Sequence, residues 1–410
     1  MTTTDVRVLG PDQWDLYYER LERAFGGPPE TDEEHELWRR IVEIERMLAV
    51  WDGDELVGTA GAFSFRMTLP GGAEADVPGV TMVSVQPTHR RRGVLTAMMR
   101  RQLDDFRERG EPFAVLTASE PAIYGRFGYG VASRQLRGTV DTTRVSFRAP
   151  AGVDRVRFRL VPPAEAVEVC ERIYAQVVPR RPGMLARRPG WEQEPVLDPP
   201  ASRDGAGPLL CVLAEVDGEV RGYARYATHA GWKPTGPDGT VRLRDLEALD
   251  PVTCAALWRY LAGVDLMSRI AFWNRPIDDP LLHLVSDLRR CELGFRDSLH
   301  LRLVDLPSAL SARTYAGPVD VVLDVEDAFC PWNSGRWRLT GDGKGASCVR
   351  TTDAPELALS VRELGAAYLG GPSLRSMADA GQVRELRAGA LAEASAAFRS
   401  DAEPWLPHRF

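Results

Sequence analysis

The chain has 410 residues, 44% of them hydrophobic and 27% charged, and its formal net charge at neutral pH is −7. This length exceeds that of one ordinary hydrophobic core and predicts about two to four globular domains. The acidic balance argues against a nucleic-acid binder and suits a cationic small-molecule partner. No apolar run is long enough to span a membrane and no signal-peptide pattern opens the chain, so a cytoplasmic protein is expected.

Six cysteines are scattered along the sequence, without a Cys-x-x-Cys pair or a histidine cluster beside them. This spacing gives no support to a zinc or thiol-redox motif, so no metal is expected. Buried reduced thiols are the favoured interpretation.

The first 150 residues predict a mixed α/β unit in which helices cover one sheet. Its expected elements, in chain order, are helices over 11–25 and 31–47, a β-hairpin turning at Asp52-Gly53-Asp54, a strand ending near Pro87, an amphipathic helix from Gly93 to Arg109, a buried strand, and the glycine-punctuated turn PAIYGRFGYG.

The next part of the chain repeats this order. Residues 212–228 echo the hairpin, and residues 240–264 give a strand, an Asp-Pro pair and an amphipathic helix, as residues 80–106 do. Matched element order indicates an internal duplication. The arginine-glycine turn of the first copy is missing from the second, which we therefore expect to be degenerate.

From about residue 296 the pattern changes to a third, α+β unit. Its expected strands are LHLRLVDLPSAL, VDVVLDVED, SGRWRLTG, SCVRTT and LALSVRELGAAYLGG. SLRSMADAG and VRELRAGALAEASAAFRS are expected to be helical, and an extended tail, DAEPWLPHRF, follows them.

The segment VSVQPTHRRRGVLTAMM is the most informative stretch. A strand that stops at Pro87 and a helix that begins near Gly93 place free backbone amides at a helix N-terminus, which favours an anion. Arg90, Arg91 and Arg92 add guanidinium groups that suit a pyrophosphate. Neither a Walker loop nor a G-x-G-x-x-G motif is present. The segment therefore predicts a diphosphate ligand.

This Arg-Arg-Arg-Gly run resembles the R/Q-x-x-G-x-A/G signature of GNAT acetyltransferases, whose turn binds the pyrophosphate of acetyl-CoA. Together with TASEPAIYGRFGYG, the longer segment resembles the Eis (enhanced intracellular survival) family, which is also similar at Leu95, where the wider superfamily has Gly or Ala. The resemblance implies tandem GNAT-like domains over 1–150 and 151–295, the second degenerate, and a sterol-carrier-protein-like α+β domain over 296–410. It also implies a homohexamer.

The resemblance further implies roles for individual residues. The expected acetyl-CoA-binding residues are Val83, Ser84, Val85, Arg91, Arg92, Gly93, Val94, Leu95, Thr96, Ser119 and Glu120. The expected acceptor pocket consists of Phe25, Trp38, Met82 and Trp191. Tyr124 matches the family's general acid, and the C-terminal carboxylate, on Phe410, matches its general base.

Elementary chemistry is compatible with these two catalytic roles. A phenol titrates near ~10, close to a thiol, so Tyr124 is able to protonate the departing sulfur of CoA. A free α-carboxyl titrates near ~3.5 in water, so the favoured role of Phe410 is to ease proton loss from an ammonium substrate. Trp405 and Leu406 give the tail apolar side chains that a solvated chain end does not need.

The sequence leaves the identity of the acceptor amine open. Eis-like enzymes acetylate several amines of aminoglycosides, and also polyamine-like and lysine amines, so a polyamine or protein-lysine acetyltransferase is one alternative. A non-catalytic acyl-CoA or lipid-binding protein is the alternative from another class. No cysteine falls in the expected site, so transfer is expected to be direct, in a ternary complex.

Overall fold

The structure is a computed structural model and describes residues 4–26 and 29–410. The elements of its first unit, in chain order, are β1 (Asp5–Val8), α1 (Trp14–Phe25), α2 (Asp32–Ile41), β2 (Leu48–Asp52), β3 (Glu55–Thr68), β4 (Glu74–Val85), α3 (Val94–Glu108), β5 (Phe113–Thr117) and β6 (Gly130–Val131). A 3-10 turn, Pro121–Phe127, joins β5 to β6.

The second unit repeats the hairpin and the strand-helix-strand order of the first. Its elements are β7 (Arg134–Asp141), β8 (Arg157–Val161), α4 (Val167–Val177), β9 (Leu185–Ala186), β10 (Leu210–Val216), β11 (Glu219–His229), β12 (Trp232–Lys233), β13 (Gly236–Pro237), β14 (Gly239–Ala248), α5 (Pro251–Ala262), β15 (Met267–Pro276), α6 (Leu281–Leu284) and β16 (Gly294–Asp297).

The third unit packs short helices on a small sheet. Its elements are β17 (Leu299–Leu303), α7 (Leu306–Ser311), β18 (Val319–Glu326), β19 (Gly335–Asp342), β20 (Gly345–Arg350), β21 (Leu357–Ser360), α8 (Val361–Ala367), α9 (Leu374–Asp379), β22 (Val383–Glu385) and α10 (Ala390–Phe398).

The sheets do not follow the order of the three units along the chain. The eight-stranded sheet has the order β1-β2-β3-β4-β5-β17-β6 with β9 beside β3, and the seven-stranded sheet the order β16-β7-β15-β14-β11-β10-β8. β7 pairs with β15 in the sheet of the second unit, and β17, although it begins the third unit, pairs with β5 in the sheet of the first. β7, which precedes the expected division at residue 150, thus belongs to the second sheet, and β17, which follows the expected division at residue 295, belongs to the first. The third sheet has the order β20-β19-β18-β21-β22.

One hydrophobic core runs from the first unit into the third, and the second unit has its own core around the buried Trp258. At the junction, the ring of Phe113 on β5 lies 5.3 Å from that of Tyr368, just after α8. The third unit is therefore packed directly under the sheet of the first. No helix within the described ranges combines the length and apolar composition that a membrane crossing needs.

Four expected elements differ from the structure. The strand expected through LHLRLVDLPSAL ends at Leu303, and helix α7 begins at Leu306, because Asp305 caps its N-terminus. The helix expected over 31–47 ends at Ile41, and a 3-10 turn, Ile44–Arg46, follows it. The strand expected through LALSVRELGAAYLGG changes to helix α8 at Val361, because Ser360 and Glu363 form a reciprocal capping box. The helix expected to begin at Val383 begins instead at Ala390, and Val383–Glu385 forms β22.

Candidate active site

A slot opens beside β4 where it parts from β5. The two parallel strands pair at Gly79 with Val115 and at Val80 with Leu116, whereas β4 continues to Val85. Within that stretch β4 carries a β-bulge, at which Met82 adopts a positive φ of 52°. A bulge bends a strand away from its neighbour and leaves backbone groups unpaired. The backbone of residues 81–85 therefore faces the space where a pantetheine arm is expected.

Thr59 of β3 fixes the geometry of this bulge. Its hydroxyl lies 2.7 Å from the carbonyl oxygen of Met82, to which it donates, and 2.7 Å from the Ser84 hydroxyl. Ser84 is buried and its hydroxyl is hydrogen-bonded to Thr59, so its side chain stabilises the pairing of β3 with β4. Only its backbone is available to a cofactor.

The arginine-glycine turn has the geometry of an anion site. Gly93 is the N-cap of α3 with a left-handed φ of 85°, a conformation that glycine adopts without strain. No side chain caps the helix, so its first backbone amides keep their hydrogen-bonding capacity for a ligand. Arg90 and Arg91 are exposed beside them. These features fit a pyrophosphate.

A buried histidine fastens this turn to the first hairpin. The Nε2 atom of His89 lies 3.0 Å from Oδ2 of Asp52, and Nη2 of Arg92 lies 3.3 Å from the same oxygen. The hydrogen bond from His89, assisted by the charge of Arg92, lowers the pKa of the Asp52 carboxyl. The sequence analysis assigned Asp52 only to the hairpin turn and missed His89. The only indication of a role for His89 was its position directly before the three arginines.

Tyr124 lies in the 3-10 turn after β5 and faces the same slot. It packs on the hydrophobic cluster that also receives Val83 from the bulge and Leu95 from the start of α3. Burial, followed by the negative charge of Glu120, raises the pKa of Tyr124 to about 12. No group in the described ranges hydrogen-bonds its hydroxyl. The phenol is therefore protonated at neutral pH, and its hydroxyl is available to a ligand.

The third unit supports the Tyr124 turn from below. A Cβ atom at Gly130 would lie 2.1 Å from the carbonyl oxygen of Arg362 in α8, so only glycine allows this approach. Beneath the turn, the fully buried Arg302 donates to Asp327 at 2.6 Å, and Asn333 donates to the same carboxylate at 2.9 Å. A buried pair of this kind is costly to break, because one charge is left without a partner.

The chain end reaches the point where β4 and β5 part. A Cβ atom at Gly79, the first residue of β4 paired with β5, would lie 2.9 Å from Cε2 of Phe410. The ring of Phe410 also lies 5.2 Å from that of Phe65. The C-terminal residue therefore lies where β4 begins to pair with β5, and Tyr124 lies in the turn that follows β5.

Aromatic rings form a cluster beside the chain end. The ring centroid of Trp191 lies 4.9 Å from those of Phe63 and Phe65, and the ring centroid of Trp38 lies 6.2 Å from those of Phe63 and Trp191. Acidic side chains border the cluster: Trp38 Nε1 donates to Glu30 at 3.0 Å, and Arg409 donates to Glu194 at 3.0 Å. Phe63, Phe65 and Trp191 are buried, whereas Trp38 is partly exposed, so it is the ring of Trp38, beside Glu30, that can contact a cationic ligand.

The remaining expected site residues differ in their position relative to the slot and the aromatic cluster. Met82 packs against the core that contains Trp191, whereas Phe25 is 58% exposed and makes no ring contact within the described ranges. Val85 borders the slot, while the side chain of Val94 is buried beneath it. Thr96, Ser119 and Glu120 are exposed at its entrance. Sequence reasoning missed Glu30, Phe63, Phe65 and Glu194, which no local motif marks.

His408 fixes the tail within the aromatic cluster. It is only 7% exposed, and its ring lies 6.0 Å from Phe65, 6.0 Å from Trp191 and 6.3 Å from Tyr174. Burial, followed by the positive charge of Arg187, lowers the pKa of His408 to about 4.

A neutral His408 should make stability depend on pH in the acidic range. Because the folded-state pKa lies below the unfolded value of about 6.5, this contribution is complete above pH 6.5 and is lost as pH falls toward 4. We expect the free energy of unfolding to drop by about 3 kcal/mol across that range through this group. His408→Gln should remove that part of the slope in denaturant titrations. An unchanged slope would contradict the buried, neutral imidazole.

The second unit lacks both features of the cofactor site, the uncapped helix start and the open gap between two parting strands. Its helix α5 is capped by Asp250, whose carboxylate accepts the Thr253 amide at 2.8 Å and so occupies the anion position. Where β14 and β15 part, the buried Arg275 donates to the Leu246 carbonyl oxygen at 2.7 Å and to Asp279 at 2.7 Å. Its guanidinium therefore fills the gap that is open in the first unit.

Known protein families match segments in all three units of the chain. Models described as acetyltransferase (GNAT) domains match residues 5–132 and 183–303, and a sterol carrier protein domain matches residues 306–407. An uncharacterized N-acetyltransferase from Streptomyces avermitilis is 65% identical over 408 residues, covering 100% of both chains. The N-acetyltransferase Eis of Mycobacterium bovis is 36% identical over 380 residues, covering 89% of each chain.

A solved structure shows the same architecture. The crystal structure of Eis1 from Mycobacterium abscessus superposes with a TM-score of 0.85 at 33% sequence identity, and the match covers 100% of both chains. The expected fold, two GNAT units followed by a sterol-carrier-like unit, is confirmed. The chain belongs to the Eis family of GNAT N-acetyltransferases.

Proposed function

We propose that the protein transfers the acetyl group of acetyl-CoA directly to a primary amine of a cationic small molecule, in the slot of the first unit. The observation that supports this most is the convergence of the bulged β4, Tyr124 and the C-terminal Phe410 on one strand pair. The uncapped helix start at Gly93 lies at the same end of β4.

Acetyl-CoA would be held by backbone groups and by the arginine-glycine turn. The backbone of Val83, Ser84 and Val85 is suited to the pantetheine arm, and the amides from Arg91 to Thr96 to the pyrophosphate. Ser119 and Glu120 would border the arm on the β5 side. The bound cosubstrate supplies an acetyl group activated as a thioester.

Tyr124 acts as the general acid. Its hydroxyl holds its proton at neutral pH, since its pKa of about 12 lies far above 7. A thiol titrates near ~8.5, so the phenol is the weaker acid and contributes mainly by donating a strong hydrogen bond to the departing sulfur. Partial burial strengthens that bond, because the surroundings of Tyr124 screen it less than water does.

The carboxylate of Phe410 acts as the general base. The ring of the residue that carries it packs on Phe65, and no Lys, Arg or His side chain in the described ranges forms an ion pair with the carboxylate. A carboxylate in such surroundings attracts an ammonium group and favours loss of its proton, directly or through water.

The acceptor class follows from the aromatic cluster and its acidic border. Trp38 and Met82 are only partly buried and offer a surface for a cationic molecule, the buried Trp191 packs behind Trp38, and Glu30 supplies negative charge. An aminoglycoside-like amine, acetylated at several positions, fits this chemistry best. A mixture of acceptors incubated with acetyl-CoA and analysed by mass spectrometry tests the assignment. Acetylation confined to a lysine peptide or a polyamine would favour the alternatives, and binding of acetyl-CoA without any product would favour a non-catalytic acyl-CoA binder.

One acetyl-CoA site is expected per chain, because Asp250 and Arg275 fill the equivalent positions of the second unit. Isothermal titration calorimetry should give a stoichiometry of one. Gly93→Val, which forces a β-branched residue into a left-handed φ of 85°, should abolish this binding. A stoichiometry of two in the wild type would show that the second unit is functional, and unchanged binding in the variant would contradict the role of the arginine-glycine turn.

From the family resemblance alone, we also propose that the protein is a cytoplasmic homohexamer.

A further inference from the structure

The tail that carries Phe410 is held by the second unit. Trp405 packs against Tyr174, Val178 and Met184, and its backbone amide donates to the carbonyl oxygen of Pro182 at 3.0 Å. The tail therefore crosses the second unit before it enters the active site of the first.

Asn274, on β15, makes the densest set of polar contacts with the tail. Its Oδ1 atom accepts the indole N–H of Trp405 at 2.9 Å. Its Nδ2 atom donates to the carbonyl oxygens of Leu406 at 3.0 Å and Pro407 at 3.1 Å. The carboxamide thus binds three consecutive tail residues through one acceptor and two donors.

Asn274 lies beside the gap between β14 and β15, the position that corresponds to the cofactor slot of the first unit. Arg275, which fills that gap, follows Asn274 directly, and its guanidinium lies 5.1 Å from the ring centroid of Trp405. Asp278, from the same segment, accepts the amide of Glu403 at 3.1 Å. The strand end that corresponds to β5 therefore holds the tail instead of a cofactor.

We propose that Asn274 is a positioning residue for acetyl transfer: it fixes the tail at residues 405–407 and thereby places the carboxylate of Phe410. The inference rests on the proposed function of that carboxylate. Only His408 and Arg409 separate the anchor from Phe410. A shift of the anchor is therefore transmitted to the carboxylate, and a displacement of about 1 Å is enough to lower a rate substantially.

Asn274→Asp tests the anchor with little change in shape. The variant keeps an acceptor for Trp405 but replaces both donors with an oxygen facing two carbonyl oxygens. We expect kcat to fall about 10-fold, with the dissociation constant of acetyl-CoA unchanged. Ser268→Ala is the matched control, since Ser268 lies on the same strand and bonds Asp238, away from the tail.

A double-variant experiment separates positioning from general destabilisation. In a chain with one glycine added after Phe410, the carboxylate is already displaced, so Asn274→Asp should cost no further activity. Losses that multiply, or an unchanged kcat in the single variant, would overturn the inference. Full activity of the glycine-extended chain would instead contradict the proposed role of the carboxylate, on which the inference rests.

Trp405→Phe provides a second variant in case Asn274→Asp does not fold. It keeps an aromatic ring but removes the bond to Asn274, and a smaller fall in kcat is expected. Release of Phe410 by carboxypeptidase should be faster in both variants than in the wild type. Equal release rates, with kcat unchanged, would show that Asn274 does not hold the tail.

Discussion

Replacing Tyr124 with phenylalanine is expected to lower kcat for acetyl transfer about 100- to 1,000-fold, because the departing sulfur loses the hydrogen bond that stabilises its developing negative charge. Acetyl-CoA binding should be unchanged, since the ring keeps its contacts with the cluster around Val83 and Leu95. Steady-state thiol release and calorimetric titration of acetyl-CoA measure the two quantities.

Tyr129→Phe is the matched control for this experiment. The ring of Tyr129 lies 6.0 Å from that of Tyr124 in the same cluster, but it is fully buried and does not face the slot. Its loss of a hydroxyl should leave kcat close to that of the wild type. Equal activity in Tyr124→Phe and Tyr129→Phe would remove Tyr124 from the mechanism and leave the fold assignment intact.

Adding one glycine after Phe410 is the second change with a large expected effect. The ring of Phe410 can stay against Phe65, while the terminal carboxylate moves by about 3.5 Å. Because the carboxylate is proposed to take the proton of the ammonium substrate, kcat should fall about 100-fold. The melting temperature should hardly change, since Trp405 and Leu406 still anchor the tail.

The pH dependence of the extended chain provides the check. If the displaced carboxylate was the base, raising the pH should recover part of the activity, because more of the amine is then unprotonated in solution. A glycine-extended chain as active as the wild type at neutral pH would show that the terminal carboxylate takes no part in the reaction.

Local sequence patterns predicted the parts of the site that local structure builds. The hairpin at Asp52-Gly53-Asp54 and helix α3 appear where apolar spacing placed them, since both depend on residues close in sequence. The pairing of β17 with β5 could not be anticipated, because the whole second unit lies between these two strands in the sequence. Such distant pairing leaves no local signal.

Two misjudged segments of the third unit show the same limit. The apolar run after Leu357 has the composition of a strand, and the capping box formed by Ser360 and Glu363 was the available signal for helix α8. β22 is only three residues long and owes its conformation to pairing with β21. Propensity alone favours a helix there, and tertiary pairing overrides it.

Side chains that meet from different units were the hardest to foresee. The aromatic cluster joins Trp38 of α2, Phe63 and Phe65 of β3, Trp191 of the second unit and His408 of the tail. Family resemblance pointed to Trp38 and Trp191. The other members follow only from the packing of the three units.

Initial rates of thiol release, with acetyl-CoA and the acceptor amine both varied, test the central claim most directly. Direct transfer in the slot of the first unit requires both substrates to be bound together, so reciprocal plots should intersect and release should depend on the amine. Parallel lines would indicate an acetylated enzyme intermediate, and release that is independent of every amine would contradict an amine acetyltransferase.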